Sequence, residues 1–132
     1  MSSLKFTPEN IRHLEPNQIF VYGANEAGIH GAGAAKAALD HYDAEWGVGI
    51  GRTGQAYAIP TKSKNIEYVL PIEEIEKHVK DFIKYMEENP NLKFWLTRVG
   101  CGFAGYTDEQ IAPLFKGMPI NVSVPRQWLK LL

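Results

Sequence analysis

Short apolar runs alternate along this chain with segments of helical periodicity, and this alternation limits the fold more than any other feature. The runs at residues 18–22 and 56–59 are closed by glycine or proline, as expected for buried strands. Two further strands are predicted at residues 93–99 and 120–124. Strands that alternate with helices favour an α/β fold, with a mainly parallel sheet and helices on both faces. Ligands of such sheets bind where strands end and loops begin.

The clearest helix is predicted at residues 71–88. Its apolar side chains recur at three- and four-residue spacing and form one buried face: Ile72, Ile75, Val79, Phe82, Ile83 and Met86. Pro71 suits the first turn of this helix. An alanine-rich helix is predicted at residues 32–42, and another at residues 107–115 with Thr107 as its N-cap.

Length and charge narrow the class of protein. The 132 residues suit a single domain that spans residues 1–132. With 14 basic and 15 acidic side chains, the net charge of −1 argues against a nucleic-acid or membrane partner. The N-terminal residues lack the pattern of a signal peptide, so a cytoplasmic location is expected. A single cysteine and unpaired histidines predict neither a disulfide nor a bound metal, and no cofactor is expected.

Three glycine clusters lie at predicted loops. In the first, "GANEAG" leads through Gly31 and Gly33 into the alanine-rich helix. Glycines between a strand and a helix let the backbone approach an anion, but they equally serve a tight turn with close helix packing. The second cluster, at residues 49–54, precedes a strand and is expected to be a flexible lid or a plain loop.

The third cluster, at residues 100–105, follows a strand and precedes a helix. It has the spacing of a dinucleotide-binding fingerprint, but the chain lacks the acidic residue that a Rossmann fold places about twenty residues later. The third cluster is therefore interpreted as a phosphate-binding loop of a protein that is not a dehydrogenase. Cys101 lies in this cluster, either as a thiolate activated by a helix N-terminus or as a small buried side chain.

His30, in the first glycine-rich loop, can reach a ligand, although a solvated loop position is the stronger expectation. Trp46 and Trp95 are expected in the core.

The first and third clusters together resemble the macrodomain family. "YGANEAGIHGAGAAKA" is similar to the macrodomain strand that ends in asparagine before a glycine-rich loop and helix, and "LTRVGCGFAGYTDEQIAPLF" is similar to the second macrodomain loop. The resemblance covers roughly residues 9–124. It implies a three-layer αβα macrodomain-like fold, reduced in size, of a short bacterial or phage type. It also implies binding of ADP-ribose or a related NAD-derived nucleotide.

The resemblance assigns roles to particular residues. Asn25 is expected to hydrogen-bond the distal ribose, and Phe103 or Tyr106 to pack on it. Glu9 or, failing that, Asn10 falls nearest to the adenine position. The diphosphate is expected to meet the backbone of two segments: Gly31, Gly33 and Ala34 in the first, and Gly100, Cys101, Gly102 and Gly105 in the second.

"RVGCGFAGY" is most similar to the branch that releases ADP-ribose from glutamate by means of a lysine and an aspartate. Lys62 falls near the lysine position, but Ala104 occupies the aspartate position, and Asp108 is the nearest alternative. Other hydrolytic members use an asparagine and a substrate-positioned water, a role that Asn25 permits. Hydrolysis of ADP-ribose adducts, with an ADP-ribosylated protein as partner, is thus one hypothesis. A non-catalytic binding or sequestering module is the second, and a structural interaction domain is the third.

Overall fold

The computed structural model describes residues 5–7, 14–64, 68–102 and 104–132. These residues contain one six-stranded sheet in the order β1-β6-β5-β2-β4-β3. The strands are β1 (Lys5–Phe6), β2 (Gln18–Asn25), β3 (Gly51–Thr53), β4 (Ala56–Lys62), β5 (Lys93–Leu96) and β6 (Val122–Val124). Every adjacent pair is parallel except β3 and β4, which makes the sheet mixed but mainly parallel, as predicted.

The helices are α1 (Gly33–His41), α2 (Ile72–Glu88) and the short α3 (Asp108–Ile111). Two 3₁₀ helices follow at Ala112–Phe115 and Arg126–Leu131. Thr107 caps α3 as predicted, since its hydroxyl accepts from the backbone of Gln110 while the Gln110 side chain accepts from the backbone of Thr107. In the described part of the chain, no helix has both the length and the apolar character needed to cross a membrane.

Strand β2 lies at the centre of the sheet and serves both faces. Ile19 and Val21 belong to one buried cluster, while Phe20 and Tyr22 belong to the other. This two-residue period is what a strand buried on both sides requires. Helices therefore cover both faces of the sheet, and the expectation of an α/β fold is confirmed.

The face under α1 combines aromatic side chains with several small ones. Ala24, Ala56 and Ala58 of the sheet lie in one cluster with Ala38 of α1. Small residues on both surfaces allow the helix to approach the strands closely. Together with Ala34 and Ala35, which pack against this cluster, Ala38 supports close helix packing, one of the two roles considered for the first glycine cluster.

The opposite face carries most of the apolar core. It is covered by α2, α3 and the two 3₁₀ helices, whose buried side chains join one cluster with β2, β4, β5 and β6. Phe82 of α2 is fully buried, with ring contacts to Tyr57, Phe94 and Phe115 at centroid distances of 5.0, 5.6 and 6.2 Å. Phe82 therefore joins α2 both to the sheet and to the C-terminal helices.

A bulge shifts the register between β2 and β4 near their carboxyl ends. Ala24 pairs with Pro60, but Asn25 pairs with Lys62. Proline has no N–H for the ladder, and a register irregularity beside it is the usual way a strand accommodates one. The bulge places Asn25 directly opposite Lys62.

Several predicted boundaries were wrong. Strands β2 and β4 run three residues further than predicted, to Asn25 and Lys62. Strand β5 ends at Leu96. Thr97 still donates its N–H and its hydroxyl to the Val21 carbonyl, after which the Val99 N–H donates to the Thr97 carbonyl and closes a tight turn. Strand β6 begins only at Val122.

The tryptophans also differ from expectation. Trp46 is 58% exposed and Trp95 is only partly buried, whereas Trp128 is fully buried. The prediction that Trp46 belongs to the core was wrong, because its ring lies on the surface next to His30.

We expect Phe82→Ala to lower the free energy of unfolding by about 3–5 kcal/mol, because the cavity it leaves lies among aromatic rings that cannot collapse into it. Lys84→Ala, at an exposed position of the same helix, is the control and should change that free energy by less than about 0.5 kcal/mol. Urea unfolding followed by circular dichroism measures both. Equal effects of the two substitutions would contradict the central position assigned to Phe82.

Candidate functional site

A cleft of about 510 Å³ opens at the carboxyl ends of β2, β4 and β5. Parallel strands end at a common edge, so the loops that follow them converge there, in the place where open α/β sheets bind ligands. A volume of this size suits a small-molecule ligand. The described lining residues are Gly23, Ala24, Asn25, Ile29, Gly31, Ala32, Ala34, Ala35, Thr61, Lys62, Thr97, Arg98, Gly100, Cys101, Gly102 and Ala104.

The first loop, residues 25–31, is held by the side chain of Asn25. Its Nδ2 donates to the Ile29 carbonyl at 2.8 Å, and its Oδ1 accepts from the Ile29 N–H at 2.9 Å. A primary amide has a second hydrogen and a second lone pair, so Asn25 keeps capacity for a ligand. The residue is therefore both a loop clamp and a lining group of the cleft.

The second glycine cluster and the two residues before it pack against the backbone of the first loop. The Gly47 N–H donates to the Gly28 carbonyl at 2.9 Å. A Cβ added at Gly28 would lie 2.2 Å from the Val48 nitrogen, and one at Gly49 would lie 2.0 Å from the Asn25 carbonyl oxygen. Glycine is required at both positions because backbone meets backbone there. The expectation of a flexible lid or plain loop was wrong, since this segment packs tightly on the first loop and includes β3.

The third cluster forms a closed turn opposite the first loop. The Tyr106 N–H donates to the Gly100 carbonyl at 2.9 Å, and the Gly105 N–H donates to the Gly102 carbonyl at 3.0 Å. Gly100 has a φ of +78°, and a Cβ at Gly23 of β2 would lie 3.3 Å from the Gly100 nitrogen. Small residues on both sides thus let the turn pass close to the end of β2.

The N-terminus of α1 lies at the cleft, because Ala32, Ala34 and Ala35 are among the lining residues. Within the described residues, the N-cap Ala32 makes no side-chain capping bond, and the first turn of α1 contains no acidic residue. The partial positive charge of this helix end is therefore not neutralised locally by a carboxylate of its own first turn. An anionic group in the cleft would be stabilised by it.

The charged lining residues are Lys62 and Arg98, and none of the described residues that line the cleft is acidic. Lys62 ends β4 opposite Asn25, where the bulge places it. Asn25 and Lys62, the two residues that the macrodomain resemblance assigns to catalysis, thus occupy paired positions at the ends of adjacent strands. Their side-chain roles remain predictions.

Arg98 is joined to Asp108 by two hydrogen bonds, from Nε to Oδ1 at 2.9 Å and from Nη2 to Oδ2 at 2.8 Å. Asp108 Oδ1 also accepts from Trp128 Nε1 at 2.6 Å. The bonds from Arg98 hold the pKa of the Asp108 carboxyl below its ordinary value. Asp108 does not line the cleft, and its carboxylate already has these partners. It is therefore badly placed as a substitute for the aspartate that Ala104 replaces.

Cys101 lines the cleft and is partly buried. Burial, reinforced by the negative charge of Asp108, raises the pKa of its thiol to about 12. The interpretation of Cys101 as an activated thiolate was wrong, because both effects favour the neutral thiol.

His30 is buried, with only 3% of its surface exposed. Its Nε2 lies 3.0 Å from the Tyr22 hydroxyl, and its ring lies 5.9 Å from that of Trp46. The expectation of a solvated loop histidine was wrong. The histidine instead anchors the first loop to β2, beneath the exposed indole of Trp46.

The remaining predicted site residues fall outside the cleft lining or outside the described residues. Gly33 begins α1 behind the lining residues, and Gly105 closes the third turn. Tyr106 packs against the core, and its hydroxyl donates to the Leu70 carbonyl at 2.6 Å, which ties the turn to the start of α2. The predictions for Glu9, Asn10 and Phe103 lie outside the described residues.

Sequence reasoning missed three polar lining residues, Thr61, Thr97 and Arg98. Each lies at or just beyond the carboxyl end of a parallel strand, and that shared position is the signal that would have found them. In the part of the chain that the structure describes, no cluster of three or more histidine, cysteine or acidic side chains is arranged to hold a metal ion.

We expect alkylation of Cys101 by iodoacetamide to rise with pH without reaching a plateau below pH 10, because the raised pKa keeps the thiol protonated. Urea-unfolded protein should show a midpoint near the ordinary thiol pKa of about 8.5. Asp108→Asn removes a negative charge that raises the thiol pKa, so its midpoint should fall, while Glu88→Gln at the far end of α2 should leave it unchanged. The midpoint is the readout, since burial slows the reaction at every pH. A native midpoint that matches the unfolded one would refute the assignment.

Comparison with solved structures finds this architecture in known proteins. The macrodomain of Thermus aquaticus DarG matches with a TM-score of 0.62 at 18% sequence identity, over 96% of this chain and 99% of that one. Thermosipho africanus DarTG, solved in complex with ADP-ribose, matches with a TM-score of 0.59 at 15% identity, over 85% of this chain. The match spans only 39% of the DarTG chain. No protein-family model matches the sequence, and no curated protein matches it. The chain thus has the macrodomain fold, as the resemblance predicted.

Proposed function

We propose that this protein binds ADP-ribose or a closely related NAD-derived nucleotide in the cleft between the first and third glycine loops. One observation carries the proposal. The cleft brings together the N-terminus of α1, two glycine-rich backbones and two cationic side chains, with no acidic side chain among its described lining residues. This combination suits a nucleotide with a diphosphate. The fold shared with DarTG, which was solved with ADP-ribose, supports the same ligand.

The diphosphate is proposed to lie between the N-terminus of α1 and the turn that begins at Gly100. Backbone N–H groups supply neutral donors there, so a chain without a basic surplus can hold two phosphates. The distal ribose is proposed to lie over Asn25 and Lys62, where the Asn25 amide has a free hydrogen for a ribose hydroxyl.

Hydrolysis of an ADP-ribose adduct is the further step that we propose for this site. In an adduct on glutamate, the water oxygen forms a new bond to the ribose as the bond between the ribose and the carboxylate breaks, which gives ADP-ribose, the free glutamate carboxylate and a proton. The charge of Lys62 would stabilise the departing carboxylate, and Asn25 would orient the water. The partner in this reaction is an ADP-ribosylated protein.

A non-catalytic binding module is the second candidate, and two features of the third loop favour it. Ala104 lines the cleft where the resemblance expects an aspartate. Asp108, the nearest alternative, is bonded to Arg98 and Trp128 and lies outside the lining. This arrangement supports ligand capture without requiring turnover.

Binding can be tested at the N-cap of α1. Ala32 has extended backbone angles and no side-chain cap, so aspartate and asparagine should both cap the helix there and stabilise the fold by about 0.5–2 kcal/mol. Only the aspartate adds a negative charge at the proposed phosphate site. We expect Ala32→Asp to weaken ADP-ribose binding at least about tenfold relative to Ala32→Asn. Isothermal titration calorimetry measures the affinities, and thermal unfolding confirms the capping.

Equal affinities of these two variants would place the diphosphate elsewhere. Absence of any heat of binding, and of any thermal stabilisation by ADP-ribose, NAD or ADP with the unsubstituted protein, would overturn the proposed function. A ligand present at about a hundred times its dissociation constant should add about 2.7 kcal/mol to the free energy of unfolding.

Catalysis can be tested at Lys62. With a glutamate-linked ADP-ribosyl peptide as substrate, we expect Lys62→Ala to reduce release of ADP-ribose by about a hundredfold or more while the complex with ADP-ribose still forms. Lys64→Ala, at an exposed neighbouring position, is the control and should keep full turnover. Chromatographic assay of free ADP-ribose measures the reaction. Binding without release by the unsubstituted protein would leave the non-catalytic module as the function.

A further inference from the structure

The side chain of Asp108 connects the cleft to the core of the protein. On one side it receives two hydrogen bonds from Arg98, which lines the cleft. On the other side it receives the indole N–H of Trp128, which is fully buried. We refer to Arg98, Asp108 and Trp128 as the clasp.

The clasp closes the third glycine loop at its base. Arg98 and Asp108 flank the turn that contains Gly100, Cys101 and Gly102, so their pairing joins the strand side of the turn to its helix side. The backbone repeats this closure, because the Tyr106 N–H donates to the Gly100 carbonyl. Two parallel charge-assisted bonds fix direction as well as distance, which a single bond does not.

The clasp is also protected from solvent to different degrees at its two ends. The Arg98 side chain is 45% exposed, whereas that of Asp108 is 18% exposed. The hydrogen bond from Trp128 is thus the inner anchor of the carboxylate. The outer guanidinium has donors left over, since two of its five N–H groups are used by Asp108.

We propose that the clasp positions the third glycine loop for the ligand's diphosphate, with Asp108 and Trp128 as positioning residues that act through Arg98 and the turn. This inference rests on the proposed binding of ADP-ribose. A turn made of glycines has no side chains of its own to hold its shape, so its backbone N–H groups point at a ligand only if the base of the turn is fixed. The clasp supplies that fixed base, and the proposed catalytic residues, Asn25 on the first loop and Lys62 at the end of β4, take no part in it.

The test uses substitutions that keep shape and remove single bonds. Asp108→Asn keeps the size of the side chain but loses its charge, and Arg98→Lys keeps the charge but loses the two-pronged geometry. Trp128→Phe keeps an aromatic ring and removes the N–H. Glu109→Gln is the matched control, because it removes an exposed carboxylate from the position next to Asp108.

Calorimetric titrations with ADP-ribose and competition titrations with AMP are run well below the unfolding temperature of each variant. We expect Arg98→Lys and Trp128→Phe to weaken ADP-ribose binding about tenfold or more, because bonds to a charged group are lost. Asp108→Asn should weaken it less, because this variant also releases the positive charge of Arg98 at the cleft. AMP binding should change less than about twofold, since one phosphate does not need the whole turn. The Arg98→Lys/Asp108→Asn double variant should bind ADP-ribose no more weakly than the worse single variant, as residues that act as one unit are not additive.

Glu109→Gln should bind both ligands like the unsubstituted protein. Equal weakening of ADP-ribose and AMP would show a general loss of structure and overturn the inference. Unchanged ADP-ribose affinity in the clasp variants, or additive effects in the double variant, would also overturn the inference. If Asp108→Asn does not fold, Arg98→Lys at its more exposed position carries the same test. If the unsubstituted protein binds ADP-ribose and the clasp variants bind it equally well, the proposed function stands and the inference about the clasp is wrong. Failure of the unsubstituted protein to bind ADP-ribose would overturn both.

Discussion

The close approach of the 47–49 backbone to the first loop is the constraint on which the cleft depends. The Asn25 carbonyl oxygen lies 2.0 Å from where a Cβ of residue 49 would be, and Val48 blocks the corresponding position at Gly28. Only glycine permits these contacts, so two loops that are separate in sequence form one layer. The Asn25 side chain then closes the loop against Ile29. This layer surrounds Asn25 at the end of β2, where the register bulge sets it opposite Lys62.

Local patterns predicted the elements that depend on local chemistry. The apolar period of α2, the alternation of strands with helices and the capping box at Thr107 are each properties of consecutive residues, and the structure contains all three. The macrodomain fold and a cleft between the first and third glycine loops followed from the order of two motifs along the chain. Nothing in a single motif distinguishes a turn that binds phosphate from one that only packs, and several of the glycines here pack.

What sequence reasoning missed depends on contacts between distant residues. The sequence predicts His30 as a solvated loop residue, yet it is buried because Tyr22 lies within hydrogen-bonding distance and Trp46 lies near its ring. Trp46 was predicted to lie in the core, yet most of its side chain is exposed. The bond between Trp128 and Asp108 joins residues twenty positions apart through the C-terminal 3₁₀ helix. No periodicity or spacing encodes such pairings, because each one depends on where whole elements meet.

The two loops that flank the cleft differ in how tightly their glycines are packed, and this difference has a consequence for how the site tolerates change. Besides the side chains of Asn25 and His30, the first loop is held by backbone packing that any side chain at Gly28 or Gly49 would disrupt. The third loop is closed by its own backbone bonds and by the clasp, and a Cβ at Gly102 would meet no described atom within 4 Å. A substitution at Gly102 can therefore alter the electrostatics of this loop without a steric clash. The Arg98–Asp108 pair meanwhile offsets much of one positive charge at the cleft, which leaves Lys62 as the other cation among the described lining residues. Under the proposed function, recognition of the diphosphate would depend chiefly on backbone N–H groups and the α1 terminus, which is consistent with a chain that has a net charge of −1.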